Sequence, residues 1–290
     1  MKVAYLIMGH RDPQQILRLM NALRSSAAFF VIHIDKRAAD SVFAPLREYA
    51  AGRSDVFLAP RIRCYWGSFG IANAMVECVK TAVKAGAHFD YAILLSAQDY
   101  PIKSGDEIKG FLERNQGAEF IESFELDKPN RWTSHAGPYQ AMNRVGYWTF
   151  FLRSRPFHLR IPRRFPFGWR PFGGSQWWGL SRECVLYLEN TFRTKPEVIR
   201  YFRHVFIPDE SLFQTVIANE TRFSGRIVNN DLRHIDWDRP NPKYPRTLDM
   251  EDFERLRDSP KLFARKFEIE RSRDLLDRVD AELLSNSEGG

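Results

Sequence analysis

The sequence predicts an α/β fold with a mostly parallel central sheet flanked by helices. Two observations carry this reading. Through the first half of the chain, short apolar runs alternate with segments of helical periodicity, an order that lays helices over both faces of a parallel sheet. The most apolar run, Tyr91 to Leu95, ends abruptly in Ser96, Gln98 and Asp99, and Pro101 is expected to stop it. Ligands of open α/β sheets bind just beyond the carboxyl ends of the strands. One carboxylate and two neutral hydrogen-bonding side chains therefore stand where a polar ligand, such as a nucleotide sugar, would be read.

Val3 to Met8 reads as the first strand, and Pro13 to Leu23 as a helix with Ile16, Leu17, Met20 and Leu23 spaced for one side. Phe30 to Ile34 is a strand that ends in Asp35, Lys36 and Arg37. A helix from Val42 to Tyr49 and a short strand from Val56 to Leu58 follow. Ser68 to Ala85 is a long helix, with Ile71, Met75, Cys78, Val79 and Ala82 near one side, and Asp106 to Arg114 is another. Periodicity fails between Asp127 and Gly174, where prolines stand among arginines and aromatics. A stretch this long without regular structure is often functional, and an acceptor-binding insertion is expected. Gln176 to Leu180 reads as a strand, Arg182 to Phe192 as a helix, and a further helix begins near Asp209. Arg226 to Val228 is taken as the last short strand. Arg271 to Leu284 is a charged amphipathic helix before a flexible tail, and the one boundary falls near Asp127.

At 290 residues the chain can bury a substantial core, and its net charge of +7 favours anionic partners. The arginines between Arg153 and Arg170 are mixed with prolines in no nucleic-acid-binding pattern, so no nucleic-acid partner is expected. A basic loop facing a phosphorylated or membrane-linked acceptor explains them, which leaves peripheral contact with an anionic membrane open. Cys64, Cys78 and Cys184 have neither paired spacing nor a metal motif, and are expected as small buried hydrophobes in a reducing compartment. No apolar stretch approaches a membrane span, and Lys2 to Met8 turns polar too soon for a signal peptide. A cytoplasmic protein is expected.

The sequence contains no GxGxxG after a strand, no Walker loop, no HExxH and no CxxC, which argues against dehydrogenase, NTPase, zincin and thiol-redox chemistry. Asp236-Trp237-Asp238 has the D-x-D form but lacks a strand–turn context. The strand end at Asp99 offers one carboxylate rather than a pair, so no divalent metal is expected. Six motifs stand in order: Val31 to Arg37, Trp66-Gly67-Ser68, Leu94 to Ile102, Gly173 to Trp178, Pro208 to Phe213, and Leu262 to Phe267. Together, over about residues 2 to 268, they resemble glycosyltransferase family 14. These are the core-2/I-branching β-1,6-N-acetylglucosaminyltransferases and peptide O-xylosyltransferases. The resemblance implies a GT-A-like fold, a UDP-sugar donor, inversion at the anomeric carbon and typically no metal. On that footing residues 1–126 form the nucleotide-sugar-binding half. Residues 127–268 form the acceptor-binding and catalytic half of the same unit, and 269–290 a C-terminal helix and tail.

Inverting transfer needs a base for the acceptor hydroxyl and positive groups for the departing diphosphate. At a helix start, Glu210 reads plainly as a carboxylate favoured by the helix dipole, and Asp209 as the N-cap. The resemblance makes Glu210 the base. Arg265 and Lys266 read as solvated cations with apolar stems; the resemblance makes them diphosphate ligands, Lys266 slightly ahead, with Arg233 as a second cation. It also puts Asp35 near the uridine or ribose, and Trp66, Ser68 and Asp99 in or beside the donor pocket, although Ser68 also suits an N-cap. Gln176, Trp177 and Trp178 are assigned to the acceptor side, with one tryptophan expected in the core. The protein xylosyltransferases carry an acid where this chain has Gln176, and the animal branching enzymes carry a luminal anchor and disulfides not seen here. The expected activity is therefore transfer of N-acetylglucosamine to a glycan or glycolipid hydroxyl by a bacterial-type member. UDP-xylose is the alternative donor, and an inactive glycan-binding protein the alternative class.

Overall fold

The computed structural model describes residues 1–152, 154–237 and 244–285. The first half alternates as expected: β1 (Val3–Gly9), α1 (Pro13–Ala22), β2 (Ala28–Ile34), α2 (Asp40–Ala50), β3 (Val56–Leu58), α3 (Phe69–Lys84) and β4 (Tyr91–Ser96). A short β5 (Asp99–Pro101), α4 (Gly105–Arg114), β6 (Glu119–Ile121) and β7 (Phe124–Glu125) follow. The 127–174 stretch holds α5 (Ala141–Gly146), the hairpin β8 (Trp148–Leu152) and β9 (Arg155–Leu159), and β10 (Phe172–Gly173). Then come β11 (Trp178–Ser181), α6 (Arg182–Thr194), α7 (Pro196–Phe202), α8 (Leu212–Ala218), α9 (Thr221–Ser224) and β12 (Ile227–Val228). The chain continues through β13 (Arg233–Ile235), α10 (Phe253–Arg257), β14 (Phe263–Arg265) and α11 (Arg273–Val279).

The main sheet has the order β12-β6-β11-β4-β1-β2-β3. It is mixed: β1, β2, β3 and β4 pair in parallel and so do β6 and β12, but β11 runs antiparallel to both its neighbours. The chain enters β11 at the end of the sheet where β4 leaves it, so it must run back. Both faces are covered. Ala4, Leu6, Val31 and Leu94 pack into the core shared with α3, α6 and α8. Tyr5, Ile7, Ile32 and Leu95 pack on the opposite side with α1, α4 and α11. Each such side chain contributes ~1.5–3 kcal/mol on burial, enough that trimming one consumes much of a net stability of ~5–15 kcal/mol.

A second sheet, β13-β14-β5, was not visible in the pattern, and it corrects two expectations. Arg226–Val228 is not followed by irregular chain alone, because β13 and β14 come after it. Pro101 does not stop extended chain: it lies on β5, the edge strand, where a residue without an N–H is tolerated. α11 covers residues 273–279 and passes into a wider turn at 280–284. Arg18 of α1 holds this segment through Asp277 at 2.7 Å and Asp280 at 2.6 Å. The tail expected to be flexible lies, from residue 286 on, outside the described residues. Among the described residues no helix is long and apolar enough to cross a membrane.

Candidate active site

The carboxyl ends of β1, β2 and β4 open onto one cavity of about 390 Å³. β1 brings His10 and Arg11 to it, β2 brings His33, Asp35 and Arg37, and β4 brings Ser96 and Gln98; Trp66, Gln176, Trp177 and Arg265 close the remaining sides. This is the position at which α/β sheets hold ligands.

Asp35 is buried and takes bonds from the Arg37 guanidinium at 2.7 Å, the Arg37 N–H at 2.9 Å and the Cys64 N–H at 3.3 Å. Burial alone would raise its acid; the Arg37 contacts and the Cys64 N–H outweigh it and hold the carboxyl below the usual range. Next to it, His33 Nε2 accepts the Ile62 N–H at 3.0 Å. Burial pushes its pKa down to about 4 against the pull of Asp35, so the ring is neutral near pH 7. Cys64 is a wall of the cavity rather than a buried filler, with a thiol pushed up by burial to about 12.

Arg265 lines the cavity with its guanidinium over the Trp177 ring, 4.4 Å from the centroid. Register pairs it with Asp99 across β14 and β5, and Nε lies 3.6 Å from Asp99 Oδ1. Its pKa is lowered by burial, opposed by Asp99 and Asp231. Asp99 itself does not line the cavity. It is fully buried and bonded to the Ser96 hydroxyl at 2.8 Å and the Ser96 N–H at 3.1 Å. Arg233 is likewise away from the cavity: its fully buried guanidinium donates to the carbonyls of Leu94 and Asp231 and lies 3.5 Å from Asp99. Both residues, expected as donor ligands, instead hold the end of β4 and place Arg265.

Lys266 points to Glu268, with Nζ 2.7 Å from Oε1. The same oxygen receives Arg11 at 2.8 Å and Gln98 Nε2 at 3.4 Å. The cavity wall thus presents Arg11 and Gln98, with Glu268 and Lys266 immediately behind them. Of the two neighbours, Arg265 rather than Lys266 stands in the wall, together with Arg11 and Arg37.

Trp66 is half exposed at the rim and packs edge-on against Phe206, centroids 5.8 Å apart. Ser68 is the N-cap of α3: its hydroxyl accepts the Gly70 N–H at 3.2 Å and donates to the Tyr65 carbonyl at 2.7 Å. It lies outside the cavity, so the capping reading replaces the ligand reading. Trp178 is also removed from the acceptor side, being fully buried and stacked on Phe213 at 5.6 Å. Gln176 and Trp177 remain in the wall.

Glu210 lies outside the cavity lining but is tied to its rim. Its carbonyl accepts the Gly174 N–H at 2.9 Å, two residues before Gln176, and the Ile207 N–H donates to Gly67 O at 2.9 Å, next to Trp66. The segment is a tight turn, Pro208–Glu210, with α8 starting only at Leu212. Arg144 Nη1 donates to Glu210 Oε2 at 2.7 Å, and its guanidinium lies over Trp132, 3.7 Å from the centroid. Oε1 takes no hydrogen bond among the described residues. Asp209 is not an N-cap: it is buried, its Oδ1 has no partner among the described residues, and burial with Glu210's charge raises its pKa to about 7. Gly174 lies against the carbonyl of Glu122, whose carboxylate meets Arg131 at 2.8 Å and whose acid burial raises.

Among the described residues no group of three or more His, Cys, Asp or Glu is placed to hold a metal. Of the D-x-D pair, Asp236 is buried against Arg246 at 3.0 Å and Arg255 at 3.1 Å, and Asp238 lies outside the described residues. Arg11, Arg37 and Arg144 were not singled out from the sequence. Arg37 and Arg11 stand just past strands and were readable there; Arg144 gives no local signal, because only the fold brings it to Glu210.

The family described as Branch, Core-2/I-Branching enzyme, matches residues 3–257. Curated relatives include the β-glucuronosyltransferase GlcAT14B of Arabidopsis thaliana, 29% identical over 99% of this chain and 67% of its own length. Xylosyltransferase 2 of Homo sapiens is 28% identical over 98% of this chain and 34% of its own, and the Drosophila melanogaster xylosyltransferase oxt 29% over 92% and 32%. The chain thus spans about two thirds of the plant enzyme and about a third of the xylosyltransferases. Among solved structures, a Vibrio cholerae nucleoside-diphosphate-sugar pyrophosphorylase aligns over 73% of this chain and 87% of its own, at 10% identity and a TM-score of 0.34, too weak a likeness to carry an argument. With its motifs in order and the family pattern covering residues 3–257, the chain belongs to the Core-2/I-branching enzyme family of glycosyltransferases.

Proposed function

We propose that this protein is an inverting glycosyltransferase that binds a UDP-sugar in the strand-end cavity and transfers the sugar to an acceptor hydroxyl. One observation supports it above the others: a cavity walled by Arg265 and Arg11 beside which the backbone of Glu210 is tied to Gly174, two residues before the lining Gln176, while Arg144 holds the Glu210 carboxylate. In this reading the nucleoside lies toward His33, Asp35 and Arg37, and the diphosphate toward Arg265. Glu210 Oε1 takes the acceptor proton as the acceptor oxygen forms its bond to the anomeric carbon. The bond from that carbon to the diphosphate oxygen breaks, its electron pair leaves with UDP, and the arginines offset the charge. Donor binding proceeds without a divalent ion, since cations already stand at the wall.

For the donor sugar, UDP-xylose takes precedence over the UDP-N-acetylglucosamine expected from the sequence, because relatives matching nearly the whole chain are named xylosyltransferases. Gln176 is no obstacle in this reading, since Glu210 serves as the base. The test is thermal unfolding with UDP, UDP-xylose, UDP-glucuronic acid and UDP-N-acetylglucosamine, with and without EDTA, followed by donor turnover. A ligand at one hundred times its Kd stabilises the fold by about 2.7 kcal/mol. The expected result is protection by UDP that chelator leaves intact, with UDP-xylose turned over fastest. The absence of protection by any uridine nucleotide would overturn the proposal.

A further inference from the structure

The β8–β9 hairpin is built the wrong way round for a surface ribbon. Antiparallel ribbons ordinarily bury the apolar face and solvate the polar one. Here register places Phe150 opposite Phe157 and Trp148 opposite Leu159 on one face, with Leu152 beside Arg155 at the tip. On that face Leu152 is 79% exposed and Phe157 64% exposed. The other face carries Thr149 and His158, hydrogen-bonded at 3.1 Å, and His158 packs edge-on against Phe206 at 4.8 Å. Phe151 and Pro156 share that second face toward the tip, and Trp148 and Phe150 at the base of the first pack on His204, so the apolar surface left most open to solvent is Leu152 and Phe157.

The hairpin is firmly mounted. Thr149 N–H donates to His204 O at 2.8 Å. The Arg163 guanidinium donates to Tyr201 O at 2.7 Å and His204 O at 3.0 Å, and lies 4.3 Å from the Trp148 ring centroid. Such bracing holds the apolar face outward rather than letting it fold back onto the core.

Charge selects the partner. The 55 residues from Lys128 to Arg182 contain nine arginines, one lysine and no Asp or Glu. Since the whole chain is +7, everything outside this span is net −3. Arg155, Arg160 and Arg164 are exposed on and just beyond the hairpin. An acidic polypeptide or nucleic acid would account for the arginines but not for Leu152 and Phe157; a second copy meeting it hairpin to hairpin would repeat the positive charge and repel it. An anionic lipid surface fits both, taking the apolar face at the headgroup boundary and the arginines at the phosphates. We propose that the β8–β9 hairpin docks the protein on an anionic membrane surface. Through Phe206, which contacts both His158 and Trp66, the docked hairpin adjoins the rim of the cavity. A lipid-borne acceptor hydroxyl would then be presented to that rim. This last step rests on the proposed transferase reading; the docking does not.

The experiment is cosedimentation of the full chain with phosphatidylcholine vesicles, with and without phosphatidylglycerol, at low and high salt. Binding is expected only with the anionic lipid and is expected to weaken with salt. The double variant L152S/F157S should bind at least about tenfold more weakly through lost apolar area. R155E/R160E should lose roughly 10–100-fold, from about one kcal/mol per basic residue at such a surface. All are exposed positions, so melting temperature and UDP protection should stay as in wild type. No binding by wild type would overturn the proposal. So would binding unchanged in L152S/F157S, or binding that RNA or polyglutamate captures equally well from both double variants of the apolar and basic sets. UDP protection, measured on the same samples, tests the transferase reading separately.

Discussion

Arg144 and Glu210 make an ion pair of 2.7 Å in which the cation is sealed in the core and the carboxylate is open to solvent: their side chains are 5% and 31% exposed. The asymmetry sets what each substitution does. Removing the carboxylate strands a buried guanidinium, whereas removing the guanidinium leaves an acid that water can reach.

Glu210→Gln keeps an oxygen for Arg144 but no base. Turnover with a true acceptor should fall ~10²–10⁴-fold, while UDP affinity and melting temperature hold. Glu210→Ala removes the acceptor atom too, and should cost ~1–3 kcal/mol more stability than Glu210→Gln in denaturant unfolding. Near-normal turnover in Glu210→Gln would take this residue out of the chemistry.

The neighbours Arg265 and Lys266 should behave differently. Arg265→Ala removes a cavity-wall cation, and should weaken UDP by ~10–100-fold, the loss of a charged hydrogen bond. Lys266→Ala should weaken it much less, because that ammonium is already held by Glu268 at 2.7 Å. Calorimetric titration of UDP against both variants decides this. Equal losses would mean that Glu268 releases Lys266 to the ligand, and Glu268→Gln should then tighten UDP.

Asp209 predicts a pH dependence. Its folded pKa of about 7 lies above the ordinary value of 3.8, so between those values the folded chain holds a proton that the unfolded chain has released. The favourable contribution is complete below about 3.8 and is lost as pH rises to about 7. Asp209→Asn, which cannot ionise, should therefore gain on wild type as pH rises from 4 to 8, by ~4 kcal/mol. A stability difference that does not change with pH would show that the folded carboxyl ionises near its ordinary value of 3.8.

Gly174→Ala should be severe. A Cβ there would stand 1.8 Å from the Glu122 carbonyl oxygen, a backbone atom with nowhere to go. Either the Gly174–Glu210 bond breaks or the link between β6 and β7 shifts, for a cost of several kcal/mol in the manner of other overpacked sites. Urea unfolding measures it, and a loss under 1 kcal/mol would show that the loop yields freely.

The α/β half is legible in the sequence because its strands and helices carry their own periodicity, and the strand ends at Asp35 and Ser96 point to the cavity. The short pieces are not. β5, β13 and β14 are three residues each, too brief for a pattern, and they form only because each supplies the others' hydrogen bonds. Asp99 and Arg233 were misjudged for that reason: charged residues beside a strand end look like ligands until the second sheet shows them bonded to each other's frame. The hairpin was hidden differently, since its apolar residues face water and Pro156 interrupts it.

The strand-end cavity draws its walls from both ends of the chain, Arg11 just after β1 and Arg265 on β14. A polypeptide leaving the ribosome has its central strands long before it has the strand bearing Arg265. A sheet with half a pocket must therefore wait for β14 to dock on β5 before the pocket is whole. On the proposed reading UDP binding reports arrival of that late strand, so a protease cut between α10 and β14 that releases it should silence UDP binding while leaving much of the central sheet's circular dichroism in place.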